Sequence, residues 1–161
     1  MRVRMRLFGV AVLFAMTTGG TAGALAQGSG DPEIVREIRD FVRNVYLTDR
    51  LDTVRAIRRT YADPMRSYWG KRNVRLRAVV NDKISYFRRW PDRQFRLVDK
   101  TLAISQNRRE PDVYRVTFEY AFRNHRPGHT AEGFGETELL LEDFDGRWII
   151  LAESGRVIQR Y

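Results

Sequence analysis

The sequence predicts an α+β fold in which N-terminal helices pack in a strongly curved antiparallel sheet. In the first half of the chain, apolar residues recur at spacings of three and four, which is typical of amphipathic helices. From Phe95 onward, apolar and polar residues alternate, which is typical of strands with one face in a core. The loops NRREPD, NHRPGH and FDGR have the composition of hairpin connections. Helices followed by an antiparallel sheet form the α+β pattern.

Residues 1–26 predict a secretory signal peptide. Three arginines precede an apolar run from Leu7 to Met16, and small residues follow up to Ala26, near which we expect cleavage. The apolar run is too short for a bilayer span, which needs roughly twenty residues. We therefore expect a periplasmic or secreted protein without a stable membrane anchor after cleavage.

The rest of the chain predicts one domain. Residues 27–30 have the composition of a flexible lead-in, and residues 31–161 are enough for a single core. The chain contains no cysteine, so burial of apolar surface must stabilise it without disulfides. The net charge of +9 falls to about +6 without the three N-terminal arginines and favours anionic partners. Both signs of charge alternate along the strands, so we expect a small molecule or a cell-envelope component as partner and no nucleic acid.

Three helices are predicted in the first half of this domain. Asp31 and Pro32 supply an N-cap and a proline at the first helical position, so the first helix begins there. Its apolar stripe consists of Ile34, Val35, Ile38, Phe41, Val42 and Val45. A second helix covers about 51–61 and ends before Asp63-Pro64. A third covers about 74–89 and ends before Trp90-Pro91.

A short strand and four long strands are predicted. Their ranges are 65–69, 95–104, 114–123, about 131–142 and about 147–159. The alternation shifts phase near Asp99-Lys100, which predicts an irregularity in the first long strand. Gly133 and Gly135 predict a bulge or a bend in the third long strand.

The segments YADPMRSYW, NDKISYFRRWPDR and AESGRVIQR resemble a periplasmic group of bacterial domains within the nuclear transport factor 2-like superfamily. The familiar enzymes of this superfamily are its SnoaL-like and ketosteroid-isomerase-like members. The resemblance covers nearly the whole mature chain. It implies a sheet that wraps the helices as a cone, with a pocket at the open end. Many members of the superfamily lack catalysis, so the fold does not imply an activity.

Lys83 lies in the middle of the apolar face of the third predicted helix. At about 100° per residue, it falls between Val79 and Val80 in projection. A buried ammonium group pairs with a carboxylate or loses its proton, because an unpaired buried charge is costly. If Lys83 is buried and charged, we therefore expect a carboxylate or another acceptor close to its ammonium group.

The candidate partners of Lys83 are Asp63 and Glu153. Glu153 is expected to share a strand face with Ile149 and Leu151 and to point inward. A structural role for Lys83 would be a salt bridge between helix and sheet, or a side chain that reaches the rim. A functional role would be binding of an anionic group, or proton transfer by a lysine of lowered pKa.

A catalytic alternative uses a carboxylate base and a tyrosine. Proton abstraction beside a carbonyl needs an acceptor and a facing donor, and Asp63 or Asp82 with Tyr61, Tyr68 or Tyr86 supply the residue types. Aspartate before proline is more often a turn residue, which weakens the case for Asp63. No G-x-S-x-G motif occurs, so the sequence predicts no nucleophilic catalyst.

Aromatic residues predict either a pocket mouth or ordinary core. They are Tyr61, Tyr68, Trp69, Tyr86, Trp90, Tyr120, Phe134 and Trp148. The two histidines, His125 and His129, flank Pro127-Gly128, which excludes a helix, and their loop contains no acid. We therefore predict no metal and no cofactor.

The sequence favours an exported non-catalytic binding or accessory module whose cone pocket takes a small anionic or partly aromatic ligand or a partner segment. The predicted ligand-binding residues are Lys83, Tyr61, Tyr68, Tyr86, Trp90 and Glu153. One alternative is a lyase- or isomerase-like enzyme, for which the catalytic candidates are Asp63, Asp82 and Tyr86. Another is a dimerising structural module, so a homodimer is a further expectation.

Overall fold

The computed structural model describes residues 31–161, which form three α-helices and a seven-stranded sheet. The helices are α1 (Pro32–Phe41), α2 (Val54–Thr60) and α3 (Leu76–Arg89). The strands are β1 (Met65–Tyr68), β2 (Lys71–Val74), β3 (Asp92–Leu97), β4 (Ala103–Asn107), β5 (Glu110–Arg126), β6 (His129–Asp143) and β7 (Trp148–Arg160). No helix in this part of the chain is long and apolar enough to cross a membrane. The signal peptide (1–26) and the lead-in (27–30) lie outside the described residues and stay predictions.

Helix α1 begins as predicted. The carboxylate of Asp31 accepts a hydrogen bond of 2.9 Å from the backbone N–H of Glu33 and caps the helix, and Pro32 follows it. The helix buries Ile38 and Phe41 against the sheet. It then widens into a π-helical turn, Val42–Tyr46. This turn is what brings Tyr46 to the wall of the cavity described below.

The first turns of the second and third helices donate to side chains, of which one belongs to the N-cap residue and the other to a distant residue. The hydroxyl of Thr53 accepts from the N–H of Ala56 at the start of α2. At the start of α3, the carboxylate of Asp63 accepts from the N–H of Leu76 at 3.1 Å. Asp63 is exposed, and this hydrogen bond gives it a structural role at the start of α3.

The sheet is curved and unclosed, as the α+β prediction requires, but it is mixed instead of wholly antiparallel. Its order is β2-β1-β7-β6-β5-β3, and β4 also pairs with β5. β1 runs parallel to β7, with Ser67 opposite Ala152, and the long stretch of chain between the two strands permits this pairing, which a hairpin would not. β2 was not predicted, and it pairs with β1 at the edge of the sheet.

The predicted single strand at 95–104 is wrong, because it consists of β3 and β4 separated by a 3₁₀ turn at Asp99–Thr101. Both short strands lie along the same edge of β5. Between them, the hydroxyl of Thr101 accepts the N–H of Glu119 at 2.8 Å, where a strand would have offered a carbonyl. The phase shift near Asp99 is therefore a complete break in the strand.

Two register shifts bend β6 against β7. One lies between Phe134 and Gly135, which confirms the bulge predicted there. The other lies between Leu140 and Leu141. Their effect on β7 is to place Ile150 opposite Leu141 and Glu153 opposite Leu139.

Glu153 points inward, but for a different reason from the predicted one. The shift between Leu140 and Leu141 changes the phase of β7, so Glu153 faces the core with Ile150 and not with Ile149. Glu153 has an exposed fraction of 1%. A carboxylate this deeply buried requires partners inside the fold.

Candidate functional site

A cavity of about 560 Å³ opens between α3, the π-helical turn and the inner face of the sheet. Its volume is in the range of small-molecule sites, roughly 300 to 1,000 Å³. Its aromatic wall consists of Tyr46, Tyr68, Trp69, Tyr86, Phe87, Trp90, Phe95, Tyr120 and Phe122. Polar and charged side chains, among them Asp82, Lys83 and Asn124, also line the cavity.

Lys83 and Glu153 form an ion pair at the wall of the cavity. The ammonium nitrogen of Lys83 lies 2.6 Å from Oε1 of Glu153. The Lys83 side chain keeps 15% of its surface exposed, whereas Glu153 keeps 1%. The carboxylate is therefore enclosed by protein, and the ammonium group faces the cavity.

Three tyrosine rings surround the ammonium group of Lys83. The nitrogen lies 5.5 Å from the ring centroid of Tyr46, 5.4 Å from that of Tyr61 and 5.9 Å from that of Tyr68. These distances permit cation–π attraction, which stabilises a cation away from bulk water. These three rings, here called the tyrosine cage, therefore stabilise the ammonium group of Lys83 together with the carboxylate of Glu153.

Glu153 also forms a hydrogen bond with one tyrosine of this group and raises the pKa of two of them. The hydroxyl of Tyr61 donates to Oε2 of Glu153 at 2.7 Å, so both oxygens of Glu153 have partners. Burial, followed by the negative charge of Glu153, raises the pKa of Tyr46 and of Tyr61 well above the usual tyrosine value. Both phenols are therefore neutral donors at ordinary pH.

Tyr68 and Asp82 form a second polar pair, nearer to solvent. The hydroxyl of Tyr68 donates to Oδ2 of Asp82 at 2.6 Å. Burial, then the charge of Glu153 and then the bond to Asp82 raise the pKa of Tyr68. Asp82 is exposed and lines the cavity, so its carboxylate is open to a bound molecule.

Tyr86 and Asn124 form a third polar group. Nδ2 of Asn124 donates to the hydroxyl of Tyr86 at 2.9 Å. Oδ1 of Asn124 is buried and has no hydrogen-bond partner among residues 31–161. Burial raises the pKa of Tyr86, so its hydroxyl keeps a proton that can be donated into the cavity.

Arg93 lines the cavity but is held by the protein. Its side chain, 3% exposed, donates to both oxygens of Asp52 at 2.7 Å and to Asp49 at 3.1 Å. It also donates to the carbonyls of Phe87, at 3.1 Å, and Trp90. Arg93 therefore joins the turn before α2 to the end of α3.

The structure brings most of the predicted site residues together. Lys83, Tyr68, Tyr86, Trp90, Asp82 and Glu153 all line the cavity. Tyr61 lies behind the wall and reaches Glu153, whereas Asp63 is outside the cavity. Among the other aromatic residues, Phe134 packs against Tyr161 and Trp148 packs against Tyr114, away from this wall.

Sequence reasoning missed Tyr46, Arg93 and Asn124. Two of these had a usable signal. Tyr46 continues the apolar stripe of the first helix, four residues after Val42. Asn124 continues the inward series of β5 after Phe122. For Arg93, no local pattern distinguishes a buried arginine from an exposed one.

Within residues 31–161, no three or more histidine or acidic side chains converge as metal ligands would. The nearest polar contact of His125 is the hydroxyl of Thr130, 3.0 Å from its Nδ1 atom, across the β5–β6 hairpin. This contact suits a surface histidine.

Solved structures with the same architecture are found in several bacteria. The Kfla4162 protein from Kribbella flavida is similar at 14% identity and a TM-score of 0.63, over 81% of this chain and 95% of its own. A nuclear transport factor 2-like superfamily protein from Salmonella enterica is similar at 14% identity and a TM-score of 0.63, over 78% of this chain and 91% of its own. A protein from Novosphingobium aromaticivorans, provisionally described as a scytalone dehydratase, is similar at 11% identity and a TM-score of 0.60, over 80% of this chain and 88% of its own.

No family model matches the sequence, and no curated protein does. At identities this low, the structural likeness concerns the fold alone. The chain therefore has the α+β cone fold of the nuclear transport factor 2-like superfamily.

Proposed function

We propose that the protein is an exported, non-catalytic binding module whose cavity holds a small, partly aromatic molecule with an acceptor oxygen, such as a carboxylate, against Lys83. Export rests on the sequence pattern of residues 1–26. The binding role rests on the cavity and on the environment of Lys83.

The observation that carries this proposal is the incomplete use of the Lys83 ammonium group by the protein. A lysine has three donors, and the one hydrogen bond that Lys83 makes within residues 31–161 goes to Glu153. The Lys83 side chain is partly exposed, and it lines a cavity to which nine aromatic residues contribute. An acceptor oxygen of a ligand would occupy a donor that the protein leaves open.

Charge in the rest of the wall also favours a carboxylate. Four cationic side chains line the cavity, and two of them are already paired, Lys83 with Glu153 and Arg93 with two aspartates. Among the described residues, Arg89 and Arg160 have no carboxylate within salt-bridge distance. Long-range attraction therefore adds to the contact with Lys83.

Titration calorimetry with 2-naphthoate tests the proposal. This probe carries a carboxylate on a flat apolar body that the cavity volume can accept. Lys83→Met should weaken its binding by about tenfold or more, because it removes the charged donor. Lys100→Met, which removes an exposed lysine outside the cavity, should leave binding unchanged. Binding by Lys83→Met at wild-type affinity would contradict the proposal.

A second variant keeps the test decisive if Lys83→Met folds poorly. Glu153→Gln leaves the ammonium group without its internal counter-charge, so a carboxylate ligand should bind more tightly. Weaker binding of 2-naphthoate by a folded Glu153→Gln protein would contradict the proposed role of Lys83.

The pair of Tyr68 and Asp82 supports a second candidate, a lyase- or isomerase-like activity. Asp82 presents an exposed carboxylate, oriented by the hydroxyl of Tyr68 at 2.6 Å, which is a base of the required type. Tyr86 lines the same cavity and only accepts a hydrogen bond within residues 31–161, so its hydroxyl is a donor of the required type. The test is deuterium exchange at the carbon beside the carbonyl of 2-tetralone, followed by NMR. Exchange that the wild-type protein accelerates and Asp82→Asn does not would establish this activity. Exchange at the rate of buffer alone would exclude it for this class of ketone.

A further inference from the structure

Trp69 occupies a turn position that its side chain disfavours. It stands between β1 and β2 with a backbone φ of 47°, and Gly70 follows with a φ of 80°. Two consecutive positive φ angles define the hairpin turn that prefers Asn-Gly. Gly70 suits this turn, whereas a bulky residue with positive φ is uncommon.

The strand pairing holds Trp69 in this position. Its backbone N–H donates to the carbonyl of Glu153 at 2.9 Å, next to the parallel register of Tyr68 and Glu153. The indole lies against the backbone of Gly155, where Cη2 would be 3.3 Å from an added Cβ. A Cβ at Gly155 would first meet the carbonyl oxygen of Glu136, at 2.5 Å, so both β6 and the indole crowd this glycine.

Core packing does not account for the indole, because 48% of Trp69 is exposed and the residue lines the cavity. The distance from the indole to Lys83 can be bounded through the ring of Tyr68, which lies near both. The ring centroids of Trp69 and Tyr68 are 6.4 Å apart, and that of Tyr68 is 5.9 Å from the ammonium nitrogen. The two distances together, about 12 Å, are the upper limit for the separation of the indole from the charge. A fused two-ring molecule can contact both.

We infer that Trp69 is a ligand-contacting residue which selects a flat aromatic or conjugated ring, stacked on its indole while an acceptor oxygen of the same ligand reaches Lys83. This inference rests on the proposed function and specifies its ligand class. It explains why a turn suited to Asn-Gly carries tryptophan.

A pair of probes tests the selection. 2-Naphthoate and decahydro-2-naphthoate share a carboxylate and a carbon skeleton, and only the first has a flat π face. The wild-type protein should bind the aromatic probe about tenfold more tightly than the saturated one. Trp69→Leu should remove most of this preference by weakening the aromatic probe, with the saturated probe changed less than about twofold.

Phe144→Leu is the matched control. Phe144 is also an aromatic residue near a turn, 52% exposed, and it lies outside the cavity. Its replacement should leave the binding of both probes unchanged. A general loss of binding in this variant would show that the effect of Trp69→Leu is not specific.

The backbone conformation has its own readout. Trp69→Gly and Trp69→Ala both remove the indole, but only glycine accepts a φ of 47° without strain. The glycine variant should therefore unfold at a higher urea concentration than the alanine variant, while both bind 2-naphthoate as weakly as Trp69→Leu does. Equal midpoints would contradict the claim that the turn disfavours tryptophan.

The outcomes separate the inference from the proposed function. If the wild-type protein binds both probes equally and Trp69→Leu changes nothing, the inference is overturned, while the effect of Lys83→Met still decides the proposed function. If the wild-type protein binds neither probe, the proposed function is overturned together with the inference.

Discussion

Lys83 and Arg93 both place a cationic group at the wall of the same cavity, and the protein treats the two groups differently. Arg93 is nearly inaccessible and donates to two aspartates and two carbonyls, with its guanidinium 4.5 Å from the ring centroid of Phe87. Among the described residues, Lys83 makes one hydrogen bond, to Glu153, and tyrosine rings lie around its ammonium group. The donors of Arg93 are taken up by the fold, whereas donors of Lys83 remain open within this part of the chain.

This difference follows from the chemistry of the two side chains. A guanidinium presents donors in a fixed planar fork, which suits several simultaneous partners. An ammonium is a compact charge with rotatable donors, so it can hold one buried carboxylate and still turn another donor toward a ligand. Burial alone therefore does not distinguish the two cations, whereas the number of open donors does.

Arg93→Met should produce the largest change, and the change should be in stability. It removes a buried cation whose partners Asp49 and Asp52 are partly exposed, so the free energy of unfolding should fall by about 3 kcal/mol, the low end for breaking a buried pair. Urea denaturation measures this, with Arg96→Met on the same strand as an exposed control. If the folded Arg93→Met protein lost 2-naphthoate binding while its free energy of unfolding stayed unchanged, the proposed difference between Arg93 and Lys83 would be wrong.

Glu153→Gln should change stability and binding in opposite directions. Loss of the buried carboxylate leaves Lys83 without a counter-charge, and the free energy of unfolding should fall by about 2 kcal/mol. The same change should tighten 2-naphthoate binding by about fivefold, because the ligand supplies the missing charge. The control is Glu138→Gln, which disrupts an exposed pair with Arg115 and should have little effect. A parallel loss of stability and affinity would make Lys83 a structural cation like Arg93.

The smallest effect concerns the tyrosine cage and is confined to alkaline pH. Burial and the charge of Glu153 raise the pKa of Tyr61 in the folded state, so its contribution to stability is complete below the unfolded tyrosine pKa of about 10 and is lost as pH rises above it. One pH unit above that value, Tyr61 should account for about 1 kcal/mol of the loss. Urea denaturation against pH should show a shallower decline in Tyr61→Phe. Identical slopes in both proteins would contradict the buried position of this phenol.

The sequence predicted the contacts that depend on regular periodicity. The helical period placed Lys83 on the apolar face of α3, and one of its two candidate partners, Glu153, is the one it meets. The other, Asp63, has the helix-terminal role that its place before proline favours. The start of α1 and the bulge at Gly135 also followed from local patterns.

Features that depend on long-range pairing were missed. β2 has the charged sequence Lys71-Arg72 at an exposed edge, so it lacks the alternation that identifies a strand. The parallel pairing of β1 with β7 joins segments more than eighty residues apart, as in Ser67 with Ala152. The partners of Arg93 likewise come from a distant turn, and no local period encodes such a contact.

The most direct measurement of the central claim is NMR of the lysine side chains. The chain contains three lysines, Lys71, Lys83 and Lys100, so each labelled side-chain signal can be assigned by substitution. On addition of 2-naphthoate, the chemical shift of the Lys83 signal should change and reach saturation with the dissociation constant that calorimetry gives. The Lys71 and Lys100 signals should stay in place. Saturable binding that leaves the Lys83 signal unchanged would show that its remaining donors do not face the ligand, and would contradict the account.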